Sequence, residues 1–177
     1  MPQLVMRWKN DGKAPKPLCL PEGVEQKNIL DFPNGVEVWC KVARCLQPEG
    51  YPDHTDEALY EAALNSRANY RPEHCRILTV NGEPAATISV LCDTEKKDAY
   101  IHMVACRPEF RGKGLGHLLN AVAEELLKKA GMQTAWLTTD DWRLAAIKTY
   151  LKAGYEPDPT SVPDAKERWE KILAQLG

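Results

Sequence analysis

Arg107-Pro108-Glu109-Phe110-Arg111-Gly112-Lys113-Gly114-Leu115-Gly116 lies between a β-rich run that ends at Cys106 and a long helical pattern. Leu115, Leu118, Leu119, Val122 and Leu126 recur at the spacing of one apolar helix face, and Lys128, Lys129 and Gly131 suit a helix C-terminus, so a helix is expected over 114–130. Three alternate glycines at its start let the backbone bend tightly and a bulky ligand approach the amides. The first helical N–H groups have no intrahelical acceptor and the macrodipole is positive at that end. A strand–glycine loop–helix junction is therefore a ready anion site, with phosphate the usual anion. Arg111 and Lys113 add charge there, and Arg107 extends it. The plain alternative is a tight turn with solvated charges. The spacing is neither GxxxxGK[ST] nor GxGxxG, which sets aside a nucleotide P-loop and a dinucleotide fingerprint.

Downstream of that helix, Thr134–Thr139 reads as a strand and Arg143–Ala153 as a helix closed by Gly154. A short extended stretch follows from Tyr155, then a last helix, Asp164–Leu176, that buries Trp169, Ile172 and Leu176. Upstream, Arg76–Val80, Ala85–Cys92 and Ala99–Cys106 are strands, the first two joined by Asn81-Gly82, the strongest short hairpin signal. Helical patterns cover Val36–Leu46 and Thr55–Tyr70, the second opened by Thr55 as N-cap. Val24–Ile29 and Leu4–Trp8 read as extended, with a Pro/Gly-rich linker over 11–23 between them. The expected division is 1–20 as an N-terminal strand and linker, and 21–177 as one domain. The order gives a mixed sheet with helices on both faces, an α/β fold, or α+β if the antiparallel share is weighted more.

The chain has 177 residues, 44% hydrophobic and 27% charged, which suits one globular domain and excludes a disordered or fibrous chain. Its 23 basic and 25 acidic side chains leave a net charge of −2, against a broad nucleic-acid surface. No apolar run approaches a membrane span and the N-terminus lacks an apolar h-region, so a cytoplasmic protein without membrane contact is expected. The six cysteines show no CxxC spacing and read as reduced, buried, small side chains, with no metal site.

Arg111-x-x-Gly114-x-Gly116 resembles the pyrophosphate-binding motif R/Q-x-x-G-x-G/A of the GNAT superfamily, the GCN5-related N-acetyltransferases. Val104-Ala105-Cys106-x-Pro108 resembles that family's splayed fourth strand, and Ala146-x-x-x-Tyr150 with Gly154-Tyr155 its second signature. The resemblance covers roughly 77–158, and the C-terminal half is also similar to mycothiol-synthase-type members. It implies a mostly antiparallel sheet of six or seven strands, splayed between the fourth and fifth core strands. It implies acetyl-CoA as co-substrate, with the amides of Arg111, Gly112, Lys113, Gly114, Leu115 and Gly116 around the pyrophosphate. Val104 and Cys106 would offer backbone bonds to pantetheine, and an N–H near Val104–Ala105 would polarise the acyl carbonyl.

By the same resemblance Tyr150 is the general acid that protonates the departing thiolate; by its residue pattern alone it is a core aromatic beside Ala146 and Ile147. The family's strand glutamate falls on Tyr100, so His102, two residues on, is the candidate base, beside a water relay to Asp140 or Asp141. As residue types, His102 also suits a packed, hydrogen-bonded histidine, and the two aspartates suit N-caps. Arg143 stands where the family commonly has a CoA-contacting asparagine. Trp39, Tyr51, His54, Tyr60 and Tyr70 are candidate walls for the acceptor, a small-molecule or peptide amine. The N-terminal strand is expected at a sheet edge or over a neighbouring subunit, and a homodimer is in keeping with the family. Two other readings stay open: a non-catalytic CoA-binding module, and a nucleoside-triphosphate binder.

Overall fold

In the computed structural model, which describes residues 1–47 and 52–177, Asn81 and Gly82 both take positive φ, 50° and 82°. That is the backbone a two-residue hairpin needs, and it joins β3 (Cys75–Val80) to β4 (Glu83–Asp93) with Val80 opposite Glu83, the register shifting once between Leu78 and Thr79. The remaining elements are β1 (Leu4–Lys9), β2 (Val24–Asn28), α1 (Gly35–Ala43), α2 (Asp56–Tyr60), β5 (Asp98–Cys106), α3 (Leu115–Lys129), β6 (Thr134–Thr139), α4 (Leu144–Lys152), β7 (Glu156–Pro157) and α5 (Ala165–Leu176). Among the described residues the sheet has seven strands in the order β2-β3-β4-β5-β6-β1-β7. Every pairing is antiparallel except β5 with β6.

Alternation along the strands divides two cores. Ile77 and Leu91 face α1 and α2 with Trp39, Cys40 and Leu64, while Leu78, Ile88 and Val90 face α3. Leu119, Val122 and Leu126 bury the predicted stripe of α3, and Trp169 and Ile172 of α5 close the same side over β6 and β1. No helix among the described residues is long and apolar enough to cross a membrane.

Three expectations change. The N-terminal strand is internal, not an edge: β1 pairs with β6 from Leu4↔Thr139 to Lys9↔Thr134 and with β7 at Met6↔Pro157. Burial of Leu4, Met6 and Trp8 drives this, each apolar side chain contributing about 1.5–3 kcal/mol. Arg168 adds a polar tie, donating to the Pro2 carbonyl at 3.0 Å while pairing with Asp141 and Asp164. Second, the helix from Thr55 is shorter than its pattern. Thr55 caps it by accepting from the Ala58 amide at 3.2 Å, but α2 passes into a π-turn over Glu61–Asn65, and Asn69 at φ 65° already belongs to a turn. Third, Trp39, Tyr60 and Tyr70 are core, not pocket wall. Trp39 is fully buried edge-on to Tyr60, and the Tyr60 and Tyr70 hydroxyls meet at 2.9 Å. His54 is exposed, and Tyr51 lies outside the described residues. The six cysteines are free thiols; Cys40, Cys75 and Cys92 are buried as expected, whereas Cys19 is exposed and Cys45 and Cys106 are half-buried.

Candidate active site

The loop after β5 is built by its glycines. Gly112 and Gly114 take φ of 74° and 80°, and Gly114 is the N-cap of α3 with no side chain capping the helix. His117 and Leu118 both donate back to the Gly114 carbonyl, at 3.1 and 3.3 Å. The amides from Gly112 to Gly116 are left without an acceptor among the described residues, at the positive end of a 15-residue helix. A Cβ built on Gly112 or Gly114 meets nothing within 4 Å, so the space beside the loop is open. Gly116 instead faces Thr149 of α4, where a Cβ would sit 3.5 Å from Cγ2. Lys113 is exposed over the Phe110 ring, and Arg111 folds back so that its Nε donates to the Cys106 carbonyl at 3.0 Å. Arg107 does not extend the anion site. Its guanidinium pairs with Glu83 and Glu109 and donates to the Pro84 carbonyl at 2.7 Å.

Beside the loop the sheet opens. β5 and β6 pair only at Asp98↔Thr134, Ala99↔Ala135 and Tyr100↔Trp136, then diverge, so the splay lies at the place expected. A bulge at Met103, with φ 53°, shifts the β4–β5 register between Thr87 and Ser89. Past it, the Arg107 amide donates to Ala85 of β4, and by alternation the backbone groups of Cys106 and Val104 turn away from β4 into the gap. Ala105, opposite Thr87, turns its amide toward β4; this corrects the expectation for that residue, and of the pair only Val104 presents an amide to the gap. The Cys106 carbonyl also accepts from the Cys45 thiol at 3.5 Å, a contact from the far side of α1 that no sequence spacing announces.

Tyr150 lies on α4 two turns after Arg143, its ring 6% exposed and tilted against Tyr155. Among the described residues its hydroxyl has no hydrogen-bond partner. Desolvation pushes the phenol up to about 12, with the Arg143 charge pulling the other way. At neutral pH it is therefore a protonated donor. Arg143 itself donates to Asp140 at 3.0 Å and stacks on the exposed Trp142 ring at 4.5 Å. Asp141 is drawn to Arg168 on α5, so neither aspartate caps α4 through its side chain, contrary to expectation.

His102 is held tightly. Nε2 donates to the Ala63 carbonyl at 3.1 Å, which leaves Nδ1 as its lone pair, and the ring stacks on Tyr100 at 4.8 Å. Burial first, and the Arg67 charge second, lower its pKa to about 4. A histidine depressed in the fold contributes stability that is present above the unfolded value near 6.5 and lost as pH falls toward 4. Urea unfolding from pH 7.5 to 4.5 is expected to show a loss of up to about 3 kcal/mol, much of which His102→Gln removes. An equal acid loss in both proteins would contradict this.

Tyr100, on the same strand face, continues the stack to Trp136 of β6 at 4.1 Å, and its hydroxyl lies 3.4 Å from Thr138 Oγ1. The sequence reading missed Cys45, Trp136 and Thr138 as site residues, because only the β5–β6 register and the path of α1 bring them here.

Residues 37–155 match the Acetyltransferase (GNAT) family. An uncharacterized N-acetyltransferase of Methanocaldococcus jannaschii is 33% identical over 85 residues, 45% of this chain and 38% of that protein. A GCN5-related N-acetyltransferase from Sphaerobacter thermophilus superposes with a TM-score of 0.68 at 19% identity, over 88% of this chain and 48% of the other. The N-acetylglutamate synthase of Neisseria gonorrhoeae, solved with coenzyme A and L-arginine, gives 0.56 at 13% identity, over 85% and 31%. The chain thus spans less than half the length of these relatives.

Proposed function

Because this chain belongs to the acetyltransferase (GNAT) family, we propose that it transfers an acyl group, acetyl foremost, from acyl-CoA to an amine of a small molecule or peptide. The observation that carries this reading is the pairing of an uncapped, open glycine loop with a sheet that parts beside it. The residues suit the donor. Amides of Gly112, Lys113, Gly114, Leu115 and Gly116 would hold the pyrophosphate, whereas the Arg111 amide, expected among them, is taken by the Pro108 carbonyl at 3.2 Å; the gap-facing backbone of Val104 and Cys106 would hold the pantetheine amides. Arg143, at the N-terminus of α4 and paired with Asp140, would add a cation for the phosphates.

Bound acetyl-CoA supplies an activated thioester carbonyl. The Val104 amide is the group placed to stabilise negative charge developing on that oxygen. Tyr150 holds a proton at its hydroxyl for the leaving sulfur, and its raised pKa keeps that proton in place through neutral pH. His102 offers Nδ1 as a weak acceptor, and the proton lost by the amine passes to solvent. The fork brings amine and carbonyl together, so proximity supplies much of the rate.

The test is thiol release from acetyl-CoA with a panel of amines, read with a thiol-reactive dye. Amine-dependent release, with mass spectrometry showing the acylated amine, is expected. Tyr100 in place of a carboxylate favours a second reading, a CoA-binding module without turnover, and saturable acetyl-CoA binding with every amine inert would establish it instead.

A further inference from the structure

Tyr100 is the last residue of β5 to pair with β6, and its ring lies between His102 and Trp136, tilted 27° and 18° from them. Its hydroxyl reaches across to Thr138, on the arm that then diverges. The inner angle of the fork on the α1–α2 side thus carries three rings and two hydroxyls. A hydroxyl pair keeps lone pairs that accept N–H bonds from a neutral amine, and so leaves the nitrogen lone pair free to attack.

His102 and several carboxylates of the domain have partners of their own. His102 gives Nε2 to Ala63, and burial beside Arg67 holds its ring neutral and weakly basic. Asp98 accepts from Thr134, Asp158 pairs with Arg7, and Asp56 and Asp53 pair with Arg44. Asp140 and Asp141 are held by Arg143 and Arg168, and the Cys45 thiol, raised by burial, points at the Cys106 carbonyl. Among the described residues no carboxylate is hydrogen-bonded to the hydroxyl pair.

We propose that the acceptor is an α-amine, as at the N-terminus of a peptide or in an amino-acid derivative, rather than a lysine-like ε-amine, and that the Tyr100–Thr138 pair receives and orients it. This rests on the acyl-transfer reading and narrows it. The nitrogen lone pair forms the N–C bond and the C–S bond breaks toward sulfur. Tyr150 gives its proton to the sulfur, and the extra proton on nitrogen leaves to water, which restores the phenol. An amine that arrives neutral needs no strong base. At pH 7.5 about one-third of an α-amine of pKa about 7.8 is neutral, against roughly one part in 800 of a lysine side chain.

The experiment compares two peptides of one sequence with acetyl-CoA. Ala-Gly-Lys-amide carries its free amine at the α-position with the lysine acetylated, or at the ε-position with the N-terminus acetylated. At pH 7.5 the first is expected to win in kcat/KM on the order of a hundredfold. Its kcat/KM should rise with pH through a midpoint at about 7.8 and level off at about pH 9, following the amine. Tyr100→Phe and Thr138→Val should each raise its KM about tenfold with acetyl-CoA affinity unchanged, and the double variant should cost no more than either alone. A preference for the ε-amine overturns the proposal. So does an enzyme-borne acid limb between about pH 5 and 7, below the titration of the amine itself. Two inert peptides with acetyl-CoA bound overturn the acceptor class alone; failure to bind acetyl-CoA overturns the acyl-transfer reading itself.

Discussion

Tyr150→Phe is expected to lower kcat by about a hundredfold or more while leaving acetyl-CoA affinity and thermal stability nearly unchanged. The substitution keeps the ring that fills the core beside Ile147 and Tyr155, and it removes a hydroxyl that no other group among the described residues bonds. Little stability is therefore at stake. What disappears is the proton donor at the departing sulfur. Burial holds that donor near 12, so the wild-type rate should show no loss from phenol ionisation up to pH 9.5. Initial rates with acetyl-CoA and a working amine, beside calorimetric titration of acetyl-CoA, decide the matter. A rate within threefold of wild type would make Tyr150 a packing residue only.

The second large effect is expected at the glycine loop. Gly114 takes φ 80°, where a β-branched side chain is strongly disfavoured, and none of the described residues lies within 4 Å of where its Cβ would stand. Gly114→Val should therefore do two things at once. It strains the turn that aims the amides, and it places methyl groups in the volume an anion would occupy. A fall of about a hundredfold in acetyl-CoA affinity is expected, with a modest drop in Tm because the position is at an exposed helix start. Gly116→Ala is the contrasting case. Its backbone is not left-handed, and the added Cβ meets Thr149 at 3.5 Å, an ordinary contact, so affinity should change less than threefold. Equal losses for the two variants would show that the loop acts through general packing rather than as a cradle.

Local signals carried most of the fold. Asn81-Gly82 made its hairpin, the stripe Leu115–Leu126 made α3, and the uncapped loop lies where three glycines meet a helix start. Readings that depended on distant partners fared differently. β1 is internal because Leu4, Met6 and Trp8 find partners on β6 and β7 far along the chain, and no local pattern encodes that pairing. The helix from Thr55 ended early because a π-turn and a left-handed Asn69 interrupt an otherwise continuous periodicity. At the site, Tyr150, Val104 and Arg111–Gly116 stood out by motif. The state of His102 did not, since the Ala63 carbonyl that fixes its tautomer comes from another element. Trp136 and Thr138 become site residues only once β5 and β6 are known to run parallel and then part.

The proposed acyl-CoA site lies between the glycine loop and the parted strands. Thermal unfolding of the chain with acetyl-CoA, CoA, ATP or NAD, each at the same millimolar concentration, tests it most directly. A ligand at about 100 times its Kd adds roughly 2.7 kcal/mol, several degrees of Tm for a domain of this size. The account predicts such a rise with acetyl-CoA and CoA and little with ATP or NAD. A flat response to both CoA forms, or an equal rise with ATP, would contradict it.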